Sequence, residues 1–203
     1  MLILKKKLKP VYFIHIPRTG GRFIREILRT NNYTLNFCNF SNKYLNKEVP
    51  HLHYPFYNNF NNYGNTFQFL IVRNPIDRFM SMFNASILKD DLNIDTDKIL
   101  NDKKSLYEYI QEQITNLNYH TNWFLPQYFY INSKCKIWKY ENGLGINFFK
   151  WLKKEFKINI NKKNTINNYK TKYDDYERIK INKKTKLFIK EYYQLDFKLF
   201  NYK

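Results

Sequence analysis

Cysteine is scarce in this 203-residue chain: Cys38 and Cys135 are the only two, far apart and without metal-ligand spacing. That excludes a disulfide framework or a cysteine zinc site and points to a reducing compartment. Long apolar runs are missing as well. Leu2, Ile3 and Leu4 give way at once to Lys5-Lys6-Lys7, too short a stretch for a signal-peptide core or a membrane span, so a cytoplasmic or otherwise soluble intracellular protein is expected. Acidic residues are few, 17 against 35 lysines and arginines, for a formal charge of +18. Such a balance implies anionic partners: nucleic acid, an anionic membrane face, a nucleotide or an acidic glycan. An aromatic-basic RNA-binding signature, zinc-finger spacing and a basic heptad region are all absent, which counts against specific nucleic-acid recognition. Part of the lysine excess is an ordinary solvated surface.

Aromatic residues, by contrast, are plentiful, with 18 Tyr and 18 Phe. They supply a core, and a chain of this length forms one domain, residues 1–203, that buries roughly 70–75% of its unfolded surface. There is no internal repeat. The organising stretch is Val11 to Leu28, VYFIHIPRTGGRFIREIL. Its apolar, β-branched start predicts a strand over 11–16, Pro17 stops it, and Phe23, Ile24, Ile27 and Leu28 mark one face of a following helix. Between them, Pro17-Arg18-Thr19-Gly20-Gly21-Arg22 joins two glycines, a helix N-terminus and two arginines, which together suit a phosphate-sized anion. The G-x-x-x-x-G-K-[ST] pattern of ATP and GTP phosphotransferases is absent. A plain Gly-Gly turn in an αβ unit remains open on this loop alone.

A second strand is predicted over 67–73, FQFLIVR, leading into Asn74-Pro75-Ile76-Asp77-Arg78-Phe79-Met80-Ser81. Pro75 fits the first turn of a helix capped by Asn74, and Arg73 and Ser81 can converge on one phosphate. Asp77 and Arg78 read as a local ion pair on the helix surface, with a cofactor or structural role open for Arg78. Between the strands lies Pro50-His51-Leu52-His53-Tyr54. In extended chain its histidines project to the same side, and a pKa near 6.5 suits a histidine to general-base work at neutral pH. Two ligands alone make a weak metal site, and a pair of surface-loop histidines is the plain alternative.

F-I-H-I-P-R-T-G-G resembles the 5′-phosphosulfate loop of sulfotransferases that use 3′-phosphoadenosine 5′-phosphosulfate (PAPS), above all the carbohydrate enzymes, where it commonly reads I-P-K-T-G-G-T. R-N-P-x-x-R-x-x-S resembles the same family's 3′-phosphate motif, and the H-x-H segment resembles the one that supplies the catalytic base in the heparan sulfate 2-O-sulfotransferase type. The resemblance implies cofactor contacts from Arg18, Thr19, Gly20, Gly21, Arg22, Phe23, Arg73 and Ser81. It implies catalytic roles for His53 as base, His51 as its orienting or substrate-contacting partner, and Arg18 at the leaving phosphate. It implies PAPS as sulfuryl donor, no required metal, and a hydroxyl-bearing acceptor, above all a glycan. Arginine at position 18 is a departure, since most relatives carry lysine there, and a planar fork is not a compact ammonium. Animal relatives are usually Golgi enzymes with an N-terminal membrane helix, and this chain resembles their catalytic part.

Elsewhere the signals are coarser. Residues 30–49 read as a polar connector with Phe37, Phe40 and Tyr44 as packing points, and 88–104 as a charged one. A helix is predicted over 106–117. The segment 118–127 loosely resembles the family's acceptor-facing stretch, which makes His120 and Gln127 candidate substrate contacts; a packed aromatic loop is equally open. A third strand is predicted over 134–140 and a helix over 146–156. Residues 153–172 read as a basic connector and 174–193 as a helix. The ending Y-x-x-D-F-x-x-F-x-Y is one the family shares. The expected fold is α/β, P-loop-like and three-layered, with a mostly parallel central sheet flanked by helices and the site beyond the strands' carboxyl ends. A nucleotide kinase, a sulfotransferase that binds PAPS without turnover and a basic nucleic-acid-binding protein are the alternative readings.

Overall fold

The computed structural model describes residues 2–4, 9–36, 41–42, 47–48, 67–90, 95–115, 123–161 and 181–203. Its main sheet has the order β3-β1-β2-β6-β7, from β1 (Leu2–Leu4), β2 (Val11–Ile14), β3 (Thr34–Asn36), β6 (Phe67–Val72) and β7 (Cys135–Lys139). β4 (Ser41–Asn42) and β5 (Lys47–Glu48) form a separate antiparallel pair. β2, β6 and β7 run parallel, with Phe13 opposite Phe69 and Phe69 opposite Lys136. β1 lies antiparallel to both β2 and β3. This is the mostly parallel α/β sheet that the sequence predicts, with an antiparallel edge added. That edge comes from Leu2–Leu4, which is too short to read as an element, and from the start of the supposed connector.

The three parallel strands, β2, β6 and β7, place their carboxyl ends on one side of the sheet, where the loops at Pro17, Arg73 and Tyr140 emerge. Parallel strands covered on both faces have apolar side chains on both, and β2 and β6 do. Val11, Phe13, Phe69 and Ile71 join a core with Ile24, Ile27 and Leu28 of helix α1 (Gly21–Thr30) and Phe148, Leu152 and Phe156 of helix α5 (Ile146–Phe156). Tyr12, Ile14, Leu70 and Val72 face the other way and pack with Ile16, Tyr130 and Phe200. A third cluster is built mainly from helices: Phe79, Met82 and Phe83 of α2 (Pro75–Asp90) meet Leu106 and Ile110 of α4 (Lys103–Thr115), Ile189 of α6 (Lys183–Tyr192), and Phe124 of the 123–125 segment.

Helix α2 runs to Asp90, past the point where the charged residues suggest a connector, and α3 (Thr96–Asn101) occupies that connector's centre. The signal for α3 is a cap: Asp95 accepts from the Lys98 N–H at 2.9 Å. At the C-terminus, Asn182 caps α6 by accepting from the Thr185 N–H, so the described helix starts at Lys183, and α7 (Gln194–Leu199) follows. Phe37, Phe40, Tyr44 and the first part of the helix expected over 174–193 lie outside the described residues. Among the described residues no helix is long and apolar enough to cross a membrane.

Candidate functional site

The loop after β2 is set by backbone geometry. Arg18 and Gly20 both take left-handed conformations, at φ 65° and 90°, a conformation that costs a non-glycine residue energy. Thr19 between them is fully buried, and its hydroxyl donates to the Ile16 carbonyl at 2.8 Å. Helix α1 then begins with Ile24 N–H on the Gly20 carbonyl at 3.1 Å, no side chain caps it, and its first turn carries no acid. The N–H groups of Gly21, Arg22 and Phe23 therefore face out of the helix end, where an anion is favoured. Neither glycine can gain a Cβ unless a neighbouring side chain moves. A Cβ on Gly20 would lie 2.6 Å from Leu144 Cδ1, and one on Gly21 would lie 1.7 Å from His15 Nε2.

The turn after β6 is set by side chains. Asn74 caps α2, its Oδ1 accepting from Ile76 N–H at 2.9 Å. Gln127 brackets Arg73: its Oε1 accepts from the Arg73 N–H at 2.9 Å and its Nε2 donates to the Arg73 carbonyl at 2.8 Å. Glu141 accepts from the Asn74 N–H at 2.6 Å.

The two turns interlock. Arg73 Nη1 donates to the Arg18 carbonyl at 3.3 Å, and Arg18 Nε donates to Ser81 Oγ at 3.0 Å. The Arg18 guanidinium lies 5.7 Å from the Trp123 ring centroid, and that of Arg73 lies 4.7 Å from Tyr140. Beneath them, Arg78 is 1% exposed and donates to three carbonyls: Pro17 (3.1 Å), Leu125 (2.9 Å) and Trp123 (2.7 Å). Arg78 is thus no partner in a surface ion pair with Asp77. It is a buried tie between the first loop and the 123–125 segment, and the long aliphatic stem that lets arginine span such a distance is invisible to a motif reading. Among the described residues Arg73 has no carboxylate partner within ion-pair distance. Two cationic side chains, an uncapped helix end and a hydroxyl on one side of the sheet suit a ligand with more than one phosphate-like group.

A family model described as the sulfotransferase family matches residues 2–203. The chain belongs to that family. The family includes carbohydrate sulfotransferases and generally uses PAPS as its donor. This protein is accordingly an enzyme of sulfuryl transfer acting on a hydroxyl-bearing acceptor. Neither a curated protein nor a solved structure matches the chain.

Of the residues expected to serve the sulfotransferase, Arg18, Thr19, Gly20, Gly21, Arg22, Phe23 and Arg73 occur on the two turns just described or on the first turn of α1, and Ser81 lies within α2, where it meets Arg18. Arg22 is exposed at the start of α1, whereas the Phe23 ring packs on the core and offers only its N–H. Gln127 is corrected. It is fully buried with both amide atoms spent on Arg73's peptide groups, so it cannot touch an acceptor. His51, His53 and His120 lie outside the described residues.

His15 is a histidine that motif reading passed over. Its ring stacks on Phe13, 5.5 Å between centroids, and fills the space that Gly21 leaves by lacking a Cβ. The signal for it was its place two residues before Pro17, at the end of a strand. Asp196 was also missed as a site residue. It is fully buried and accepts from Gln127 N–H (2.8 Å) and Tyr128 N–H (2.9 Å). Desolvation holds its carboxyl above the usual aspartate range, a push that those N–H bonds and the Arg78 charge oppose. Among the described residues no group of three His, Cys, Asp or Glu side chains could hold a metal ion.

Proposed function

We propose that this sulfotransferase takes PAPS as donor and delivers the sulfuryl group to a carbohydrate hydroxyl by in-line displacement, with His53 as general base. The observation that carries the reading is the junction of Arg73, Arg18 and Ser81, which joins the loop after β2 to the turn after β6. PAPS, when bound, supplies a sulfuryl group attached to a good phosphate leaving group. Arg73 and Ser81 hold its 3′-phosphate. Ser81 is suited to this because a hydroxyl that accepts from Arg18 still has its own proton to donate. Arg18 and the N–H groups of Thr19, Gly20, Gly21, Arg22 and Phe23 face the 5′ side and offset charge on the departing oxygen. His53 takes the acceptor proton, with His51 beside it to orient the ring or the sugar, and His120 contacts the acceptor.

The carbohydrate assignment rests on the family's membership and on the basic charge of +18, which favours an acidic glycan. Transfer of radiolabelled sulfuryl from PAPS to a panel of glycans tests it. Label is expected on an acidic glycan, and His53→Ala is expected to lose about 10² to 10⁴ in rate while keeping its affinity for the product 3′-phosphoadenosine 5′-phosphate (PAP). Transfer to no glycan by protein that binds PAP would remove the carbohydrate acceptor, and undiminished transfer by His53→Ala would remove the base.

A further inference from the structure

We infer that the C-terminal tail, Asp196 to Tyr202, is a positioning element for the 3′-phosphate turn, acting on Arg73 and Asn74 through Gln127 and Glu141. The inference rests on the reading that Arg73 holds that phosphate. Three peptide groups define the turn: Arg73 N–H, Arg73 C=O and Asn74 N–H. Gln127 takes the first two and Glu141 the third. Both side chains belong to short 3-10 turns, Gln127–Tyr130 and Tyr140–Asn142, which have little regular structure to fix them. The tail fixes both. Asp196 accepts from the N–H groups of Gln127 and Tyr128, anchoring the first turn at its start. Tyr202 donates its hydroxyl to Glu141 Oε2 at 2.8 Å, while the other carboxylate oxygen serves Asn74.

The tail is shaped for this double contact. Phe200 is buried in the core beneath the sheet, Asn201 turns left-handed at φ 50°, and Tyr202 N–H closes on the Phe197 carbonyl at 3.0 Å, a helix end for which asparagine is suited. Lys139, at the end of β7, holds the tail in place by donating to the Asn201 carbonyl at 3.2 Å, with its ammonium 4.5 Å from the Tyr202 ring centroid. Because Tyr140 precedes Glu141 on the same turn, the Tyr202 contact also steadies the ring on which the Arg73 guanidinium rests. Asp196 is fully buried, and the Tyr202 hydroxyl is spent on Glu141. Each acts through another side chain, so each affects the direction in which Arg73 points.

The readout is discrimination of PAP from AMP, which lacks the 3′-phosphate, by calorimetric titration. Tyr202→Phe removes one hydroxyl and is expected to lower PAP affinity about fivefold with AMP affinity unchanged, and Asp196→Asn about tenfold. Tyr33→Phe is the control: it removes a hydroxyl bonded to Asn159 beyond the far end of α1 and is expected to lower Tm while leaving the PAP-to-AMP ratio at the wild-type value. If Asp196→Asn does not fold, Tyr202→Phe decides. A wild-type ratio in Tyr202→Phe, with discrimination abolished in Arg73→Ala, overturns the positioning role and leaves the cofactor reading standing. Unchanged discrimination in Arg73→Ala overturns the cofactor reading and the inference together.

Discussion

The two turns at the carboxyl ends of the parallel strands reach the same end by opposite means. The loop after β2 is held by local backbone: left-handed Arg18 and Gly20, a Thr19 hydroxyl returned to Ile16, and a Gly21 whose missing Cβ admits a histidine ring. The turn after β6 is ordinary in backbone and is held by side chains from 54 and 67 residues away. A turn set by its own backbone carries most of its constraints within one segment, while one made by remote clamps can be tuned from outside the site. That difference suits their proposed work, since a leaving oxygen demands fixed donors and a distal phosphate demands selectivity.

The largest break in this comparison is expected from Arg78→Ala, which leaves the Pro17, Leu125 and Trp123 carbonyls without their donor. A buried acceptor left unpaired costs about 1–3 kcal/mol, so three of them together are expected to cost about 3 kcal/mol or more, a Tm lower by about 10 °C for a chain of this size. Differential scanning calorimetry checks it, and both turns should lose PAP binding together.

Gly21→Ala attacks only the first loop. The added methyl must displace the His15 ring, an overpacking cost of about 1–3 kcal/mol. His15→Ala in the same chain is expected to return much of it in a double-mutant cycle by urea unfolding.

Alkali attacks the other side. Burial raises the Tyr193 phenol well above its usual value, and its hydroxyl donates to the Phe124 carbonyl; burial and the Glu141 carboxylate raise the Tyr202 phenol likewise. A phenol whose folded pKa exceeds its unfolded value of 10.0 gives stability that is complete below that pH and is lost above it. For buried Tyr193 alone the slope is about 1.4 kcal/mol per pH unit. Urea midpoints between pH 9 and 11 are therefore expected to fall only beyond pH 10, and Tyr193→Phe is expected to flatten the fall.

The smallest effect is expected from Asn74→Ala, which removes the cap of α2 at about 1 kcal/mol. It should weaken PAP binding and leave the Gly21 loop's contribution untouched.

The same contrast explains what could be read in advance. Strand, Pro17, Gly-Gly and helix lie within one short stretch, so their physics is local and the pattern shows it. The three parallel strands, α5 and the helix opened by Asn74-Pro75 were legible for the same reason. Gln127 was not: an amide 54 residues from Arg73 has the same sequence appearance whether it clamps a peptide, packs in an aromatic loop or faces a sugar. Arg78 looked like half of an ion pair because Asp77 adjoins it, yet burial turned it toward carbonyls. Leu2–Leu4 became a strand only because β2 and β3 lie beside it.

The division of labour between the two turns is tested most directly by Arg18→Ala, with the sulfuryl transfer rate from PAPS and the affinity for PAP measured on the same protein. The account expects turnover to fall far more than PAP affinity, because Arg18 serves the leaving oxygen while Arg73 keeps the 3′-phosphate. An Arg18→Ala enzyme that loses PAP affinity but turns over normally once saturated would contradict it.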